Sequence, residues 1–167
     1  MRGSKFKPSL SKKSRFKNGE IPASRLKKFV ATEASKSFVY RSSYEYAFMV
    51  WCEQNGNLIA WSSEPFSIPY FCPVKKKQRS YWIDFTSVMI DQVKILIEVK
   101  PEKDLQAVKN FQIAYSRLGT SEAKTSYISS NPVAANNYAK WQAAKKYAKS
   151  TGMAFQIVTE KFLKSYI

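Results

Sequence analysis

The sequence predicts an α/β fold: a small mixed β-sheet, made of a three-strand meander plus one later strand, flanked by helices. Three observations carry that expectation. Residues 81–85 and 93–99 read as neighbouring strands, because Val93, Ile95, Ile97 and Val99 alternate with Lys94, Glu98 and Lys100, broken only by Leu96. Tyr44–Trp51 and Tyr138–Ala148 carry apolar residues at helical spacing. Ala154–Val158 is a further strand after the helices, an order expected where helices pack on a sheet. At 167 residues the chain has room for one domain with a substantial core. A hydrophobic fraction of 44%, with 15% aromatic residues, places it with globular rather than disordered chains.

Taken in order, residues 1–20 are expected to be a basic, flexible tail. Arg2, Lys5, Lys7, Lys12, Lys13, Arg15 and Lys17 come with Ser, Gly and Pro, and no acidic residue precedes Glu20. Such a segment buries too little apolar surface to fold alone, which leaves 21–167 as the single domain. Ser42 or Ser43 suits the cap of a helix whose stripe is Tyr44, Ala47, Phe48, Val50 and Trp51, and Gly56 suits a left-handed end. Glu64–Tyr70 is extended, and Pro65 and Pro69 assign it to a sheet edge or to strand ends.

Lys75–Arg79 reads as a basic hairpin loop that leads into the Asp84 strand and then the Glu98 strand, which Pro101 stops. Leu105, Val108, Phe111, Gln112 and Tyr115 form a helical stripe closing near Gly119, and residues 119–131 are polar and loop-like. Pro132 is tolerated in a first helical turn. The helix it opens sets Tyr138, Trp141, Ala144, Tyr147 and Ala148 on one face and Lys140, Lys145, Lys146 and Lys149 on the other, up to Gly152. The strand at 154–158 and a short segment with Phe162 and Leu163 complete the order. No internal repeat is present.

Charge narrows the function. Lys and Arg number 28 against 12 Asp and Glu, a formal charge of +16, and a field of that sign attracts polyanions, above all nucleic acid. An anionic membrane is the rival partner, but the chain has no apolar run near about 18 residues and no amphipathic anchor. No apolar segment follows the basic amino terminus, so secretion through a signal peptide is not expected. Cys52 and Cys72 read as packed, reduced thiols rather than a disulfide. The absence of His removes Ser-His-Asp and Cys-His catalysis, and with only two Cys it argues against structural zinc. Carboxylates, lysine, hydroxyls and metal remain.

Those groups meet in one place on the sequence. Glu98 and Lys100 share a strand face while Val99 points the other way. If Asp84 on the neighbouring strand lies beside them, two carboxylates and one ammonium converge. Paired carboxylates suit a hard cation such as magnesium, with manganese as a substitute. The adjacent lysine can position or deprotonate a water, or stabilise a pentavalent phosphate, which is the equipment of metal-assisted phosphodiester hydrolysis. Asp84 interrupts an aromatic strand, Tyr81-Trp82-Ile83 before it and Phe85 after, where an unpaired carboxylate is costly. The plainer alternative is a cross-strand salt bridge of Lys100 with Asp84 or Glu98. Glu45, among Tyr44, Tyr46, Ala47 and Phe48, is either a solvated helix residue or faces the strands to complete a metal shell.

The combination of Arg41-Ser-x-x-Glu45, Glu64-Pro65-x-x-Ile68-x-Tyr70, Tyr81-x-x-Asp84-Phe85 and Glu98-Val99-Lys100 resembles the amino-terminal endonuclease domain of TnsA-type transposition proteins. That family belongs to the PD-(D/E)xK restriction-endonuclease-like superfamily. The helix at 141–148 and the strand at 155–160 match the later part of the same fold, so the resemblance runs from about residue 37 to residue 163. Ile83 stands where the eponymous proline often sits. In its size and Lys-rich leader the chain also resembles the head completion nucleases of tailed bacteriophages. The resemblance implies that Asp84 and Glu98 bind the metal with the Val99 carbonyl, that Glu45 binds it directly or through water, and that Lys100 orients the attacking water.

DNA would then be gripped without base reading by the Lys75, Lys76, Lys77 and Arg79 loop, by Lys140, Gln142 and Lys146, and by Lys12, Lys13 and Arg15 of the tail. The expected role is a magnesium-dependent DNA endonuclease in head completion or DNA packaging, located in the virion or host cytoplasm. Phage portal, neck or tail proteins are its expected partners, and no membrane is expected. A transposition or repair endonuclease is the second reading. A non-catalytic DNA-binding virion protein and an RNA-binding protein are the third and fourth, neither of which has a use for the carboxylate cluster. Nothing in the sequence specifies an oligomeric state.

Overall fold

A computed structural model describes residues 19–22, 25–30 and 37–166. The chain runs β1 (Gly19–Pro22), β2 (Ser37–Tyr40), α1 (Ser43–Gln54), β3 (Leu58–Ser63), β4 (Ser67–Cys72), β5 (Lys77–Trp82), β6 (Phe85–Met89) and β7 (Lys94–Val99). It continues with α2 (Glu102–Ser116), α3 (Ser121–Ser130), α4 (Pro132–Ser150), β8 (Ala154–Val158) and α5 (Glu160–Leu163), closing on a 3-10 turn at Lys164–Tyr166. The expected α/β class is the observed one, a restriction-endonuclease-like core. Among the described residues no helix is long and apolar enough to cross a membrane.

The central sheet has four strands in the order β3-β6-β7-β8. β6 is antiparallel to β3 and β7, whereas β8 runs parallel to β7, with Glu98 opposite Ile157 and Val99 opposite Val158. A parallel neighbour needs a long crossover, which α2, α3 and α4 supply. The meander differs from expectation. β4 and β5 form a separate two-stranded hairpin, and the third strand of the meander is β3, with a bulge between Leu58 and Ala60. The chain leaves β5 at Trp82 and enters β6 at Phe85, so Asp84 occupies the step between two sheets rather than a strand. β1 and β2 pair as a third small sheet, which takes in Gly19 and Glu20 from the end of the expected tail.

β7 explains the layering. Ile97 and Val99 face one apolar cluster with Phe48, Trp61 and Phe85, while Leu96 packs in a second with Ile68, Tyr81, Ile83 and Ala144. The strand is buried on both faces, so Leu96 is a core residue of the second layer rather than a break in the pattern. Burial of a side chain such as Phe48 or Leu96 stabilises the fold by about 1.5–3 kcal/mol relative to exposure.

Helix ends follow local chemistry. Ser42 caps α1, its Oγ accepting the Glu45 N–H at 3.1 Å. The other end of α1 departs from expectation, because Asn55 is extended and Gly56 is not left-handed. Lys28 from the preceding segment donates to the Asn55 carbonyl, satisfying the helix end through a tertiary contact. Gly152 does close α4 in the left-handed region, at φ +68°. Residues 121–130, expected as loop, form α3. Thr120 caps it by accepting the Ala123 N–H at 3.1 Å, and Tyr127 stacks on Phe111 of α2 at 5.3 Å. With none of its residues buried, α3 lacks the apolar stripe that periodicity detects.

Candidate active site

Asp84 is placed by its main chain before its side chain. Ile83 donates to the Phe66 carbonyl at 3.4 Å, and the Asp84 carbonyl accepts the Glu64 N–H at 2.9 Å. The turn from β3 to β4 is thereby laced to the step from β5 to β6. Glu64 takes φ +45°, an uncommon conformation for a residue with a Cβ, and its carboxylate is forked by the Arg41 guanidinium, with Nη2 to Oε2 at 3.0 Å. Arg41 and Glu64, two of the motif residues, thus brace the backbone on which Asp84 stands.

The Asp84 side chain turns toward β7. Its Oδ2 accepts the Val99 N–H at 2.9 Å and lies 4.0 Å from the Lys100 ammonium. Lys100 Nζ is 2.9 Å from Glu98 Oε1, and the Tyr81 phenol donates to Glu98 Oε2. Glu98 is 1% exposed, a carboxylate inside the second core that is held by a phenol on one oxygen and an ammonium on the other. Period two along β7 puts Glu98 and Lys100 on the α4 side and Val99 on the α1 side. Glu98 and Lys100 therefore share a face as the strand pattern indicated, and Asp84 meets them from the step between β5 and β6 rather than from a neighbouring strand.

Electrostatics follow from that packing. Burial, and then the charge of Glu98, raise the Asp84 carboxyl well above its ordinary range against the opposing pull of Lys100 and the Val99 N–H. Burial works against the Lys100 ammonium, but Asp84 and Glu98 outweigh it and raise its pKa. The Tyr81 phenol is raised by burial and by Glu98, so it stays a donor.

Glu45 lies within electrostatic reach of Lys100 and Asp84. Its carboxylate accepts the Arg41 N–H at 2.8 Å and faces Ser42 Oγ at 3.3 Å, completing a reciprocal cap with Ser42. Burial raises its pKa. The signal for this second job, Ser42-x-x-Glu45 before an apolar run, was legible in the sequence. Among the described residues no three Asp, Glu, Cys or His side chains form a group able to cage an ion.

The basic residues divide. Lys75 and Lys76 lie in the β4–β5 turn, and Lys77 and Arg79 are exposed on β5. Lys140 reaches the site, with its Nζ 5.4 Å from the centre of the Tyr81 ring. Gln142 and Lys146 lie about 200° and 240° round α4 from Lys140, so they occupy another face. Gln142 lines a cavity with Phe71, Phe111 and Tyr138. Lys12, Lys13 and Arg15 fall outside the described residues. Tyr81 is the site residue whose task the sequence did not reveal; alternation with exposed Ser80 and Trp82 marks it as inward, but not its bond to Glu98.

The chain belongs to the TnsA-like endonuclease N-terminal family, whose model matches residues 55–160. That segment contains Asp84, Glu98 and Lys100 and leaves Glu45 outside. Among curated proteins the chain is similar to the head completion nuclease of Enterobacteria phage T4, at 34% identity over 131 residues, 78% of this chain and 83% of that protein. No solved structure matches the chain. Family and relative together define an endonuclease.

Proposed function

We propose that the chain is a magnesium-dependent DNA endonuclease acting in phage head completion and DNA packaging. The observation that carries the chemistry is the convergence of Asp84 and Glu98 on one ammonium, Lys100, at 4.0 and 2.9 Å. These residues fit a hard divalent cation. Both are oxygen donors; burial first and the charge of Glu98 second raise the Asp84 carboxyl, and a cation between them would favour the ionised form of both. Asp84, Glu98 and the Val99 carbonyl would hold the ion, with Glu45 reaching it through water. Magnesium, or manganese in its place, would supply an activated water and neutralise charge on the phosphodiester.

The rest falls to the chain. Lys100, beside both carboxylates, would orient the attacking water and steady negative charge on the phosphate. Tyr81 holds the plane of the Glu98 carboxylate. The charge of +16 gathers polyanionic substrate, with Lys140 beside the site and the basic tail adding phosphate contacts.

The head-completion role rests on the phage T4 relative; portal, neck or tail proteins, in the virion or host cytoplasm, are the partners we infer for that role. A transposition endonuclease is the second reading, favoured by the family description. The test is supercoiled plasmid incubated with the protein in magnesium, beside EDTA and Glu98→Ala controls. Nicking or linearisation that requires both the metal and Glu98 is expected. Cleavage by Glu98→Ala equal to wild type overturns the site. No cleavage at all, with tight salt-sensitive DNA binding, leaves a structural DNA-binding role or an enzyme that a partner activates.

A further inference from the structure

Two aromatic rings on the outward face of the β4–β5 hairpin have no ring partner among the described residues. Alternation puts Ser67, Pro69 and Phe71 of β4 on that face, beside their cross-strand partners Trp82, Ser80 and Gln78. Phe71 and Trp82 are each 53% exposed. The other exposed aromatic residues, Tyr46 and Phe162, do have ring partners, in Tyr40 and Trp51. A single exposed ring is ordinary, but two uncovered rings on one face of six residues are not scatter.

The hairpin is also free of carboxylates. From Pro65 to Ile83 there is no Asp or Glu, while Lys75, Lys76, Lys77 and Arg79 are exposed at or near its tip. Charge therefore selects a polyanion, and the rings select its form. In a duplex each base is covered by its neighbours, so duplex DNA offers phosphates to the cations and nothing for the rings to stack on. An unpaired strand offers both. Phe71 stands at the lip of the cavity of about 220 Å³ whose wall includes Tyr138 and Gln142, and no acidic residue borders it. A base laid on Phe71 would meet further aromatic surface there.

The face also begins beside the site. Ser67 and Trp82 are the last pair of the hairpin, and just beyond it Ile83 donates to the Phe66 carbonyl. Trp82 is two residues from Asp84, at most about 7 Å of chain. Phe71 lies opposite Gln78, four residues back along β5, or about 14 Å toward the basic tip. We propose that this face binds an unpaired segment of the DNA strand running from the cut, with its bases stacked on Trp82 and Phe71 and its phosphates at the cations of the tip. The inference rests on the DNA-endonuclease reading and adds that the protein grips unpaired strand as well as duplex.

The probe is a single strand of about 12 thymidines, beside a blunt duplex of equal length, with magnesium withheld. Trp61 and Trp141 are buried and Trp51 is half-buried, so quenching of tryptophan emission reports chiefly on Trp82. The strand should quench wild type and the duplex should not. Trp82→Ala should lose the quench, and its single-strand affinity by anisotropy should fall about 10-fold. Phe71→Ala should lose affinity to a similar extent and keep the quench at saturation, whereas Trp82→Phe should recover the affinity without the quench. Duplex affinity and the salt slope should stay at wild type in all three, since no cation is removed. Wild-type single-strand affinity in both alanine variants, as expected if this face meets a protein instead, overturns the proposal. So does an equal loss for strand and duplex. Binding without magnesium does not depend on cutting. A protein that cleaves nothing yet binds the strand through these rings keeps the surface while the nuclease reading fails, and ring-independent binding in an active nuclease removes the surface alone.

Discussion

The Tyr81 phenol donates to Oε2 of Glu98, while Oε1 of the same carboxylate faces Lys100 at 2.9 Å. One buried carboxylate thus has a neutral partner from the β4–β5 hairpin and a charged one from its own strand. The hairpin does more than cover the sheet; it sets the rotation of a site residue that it does not itself carry.

Tyr81→Phe keeps the ring in the core and beneath Lys140 but removes the donor to Glu98. Magnesium-dependent kcat should fall about 10–100-fold and the magnesium midpoint should rise, with KM for DNA nearly unchanged. Steady-state cleavage over a magnesium series measures both. Wild-type kcat at every magnesium concentration would show that the bond to Glu98 has no catalytic consequence.

Lys100→Ala leaves Asp84 and Glu98 facing each other without their shared cation. The metal-free variant should lose about 1–3 kcal/mol, less than a fully buried pair because Lys100 retains 28% exposure. Cleavage should drop to background, and added magnesium should raise Tm more than in wild type, since the ion now offsets an unopposed repulsion. Thermal melts with and without magnesium check this; equal metal-induced shifts would contradict it.

Glu45 has two possible tasks, and two substitutions separate them. Glu45→Ala removes the reciprocal cap and should cost about 1 kcal/mol. Glu45→Gln keeps an acceptor oxygen but not the charge near Lys100. If the charge serves the site, Glu45→Gln melts like wild type and cleaves at least about 10-fold more slowly. Wild-type turnover in Glu45→Gln would reduce Glu45 to a cap.

Removal of residues 1–18 takes away Arg2, Lys5, Lys7, Lys12, Lys13, Arg15 and Lys17 and stops short of β1. DNA affinity should fall and its dependence on salt should flatten. An unchanged slope in anisotropy titrations would assign the grip to the folded domain alone.

Cys52 and Cys72 are free and buried, and burial raises the Cys52 thiol far above its usual range. Neither should react with a thiol reagent in the native protein, and both should react at once in denaturant. Rapid native labelling would place at least one of them in a more open structure.

Much of the site was legible because strand geometry is short-range. The alternation through Ile97, Glu98, Val99 and Lys100 puts Glu98 and Lys100 on one face wherever the strand lies. The cap at Ser42 and the helix end at Gly152 were equally local. What escaped had no local signature. α3 has a cap but no apolar stripe, β3 precedes the Glu64 turn without clear alternation, and the end of α1 is closed by Lys28 rather than by Gly56.

By itself, then, the sequence determined the α/β class, the strongly positive charge and the exclusion of histidine chemistry, since composition and two short periodicities suffice for these. It also determined that Glu98 and Lys100 would share a strand face. Only the tertiary structure decided that Asp84 stands on a step between two sheets, held by the Glu64 N–H and turned onto the Val99 N–H. It likewise brought Tyr81 to Glu98. The reason is physical: these contacts join residues that are neighbours only once the hairpin, the central sheet and α4 pack together, and no spacing along the chain encodes that distance.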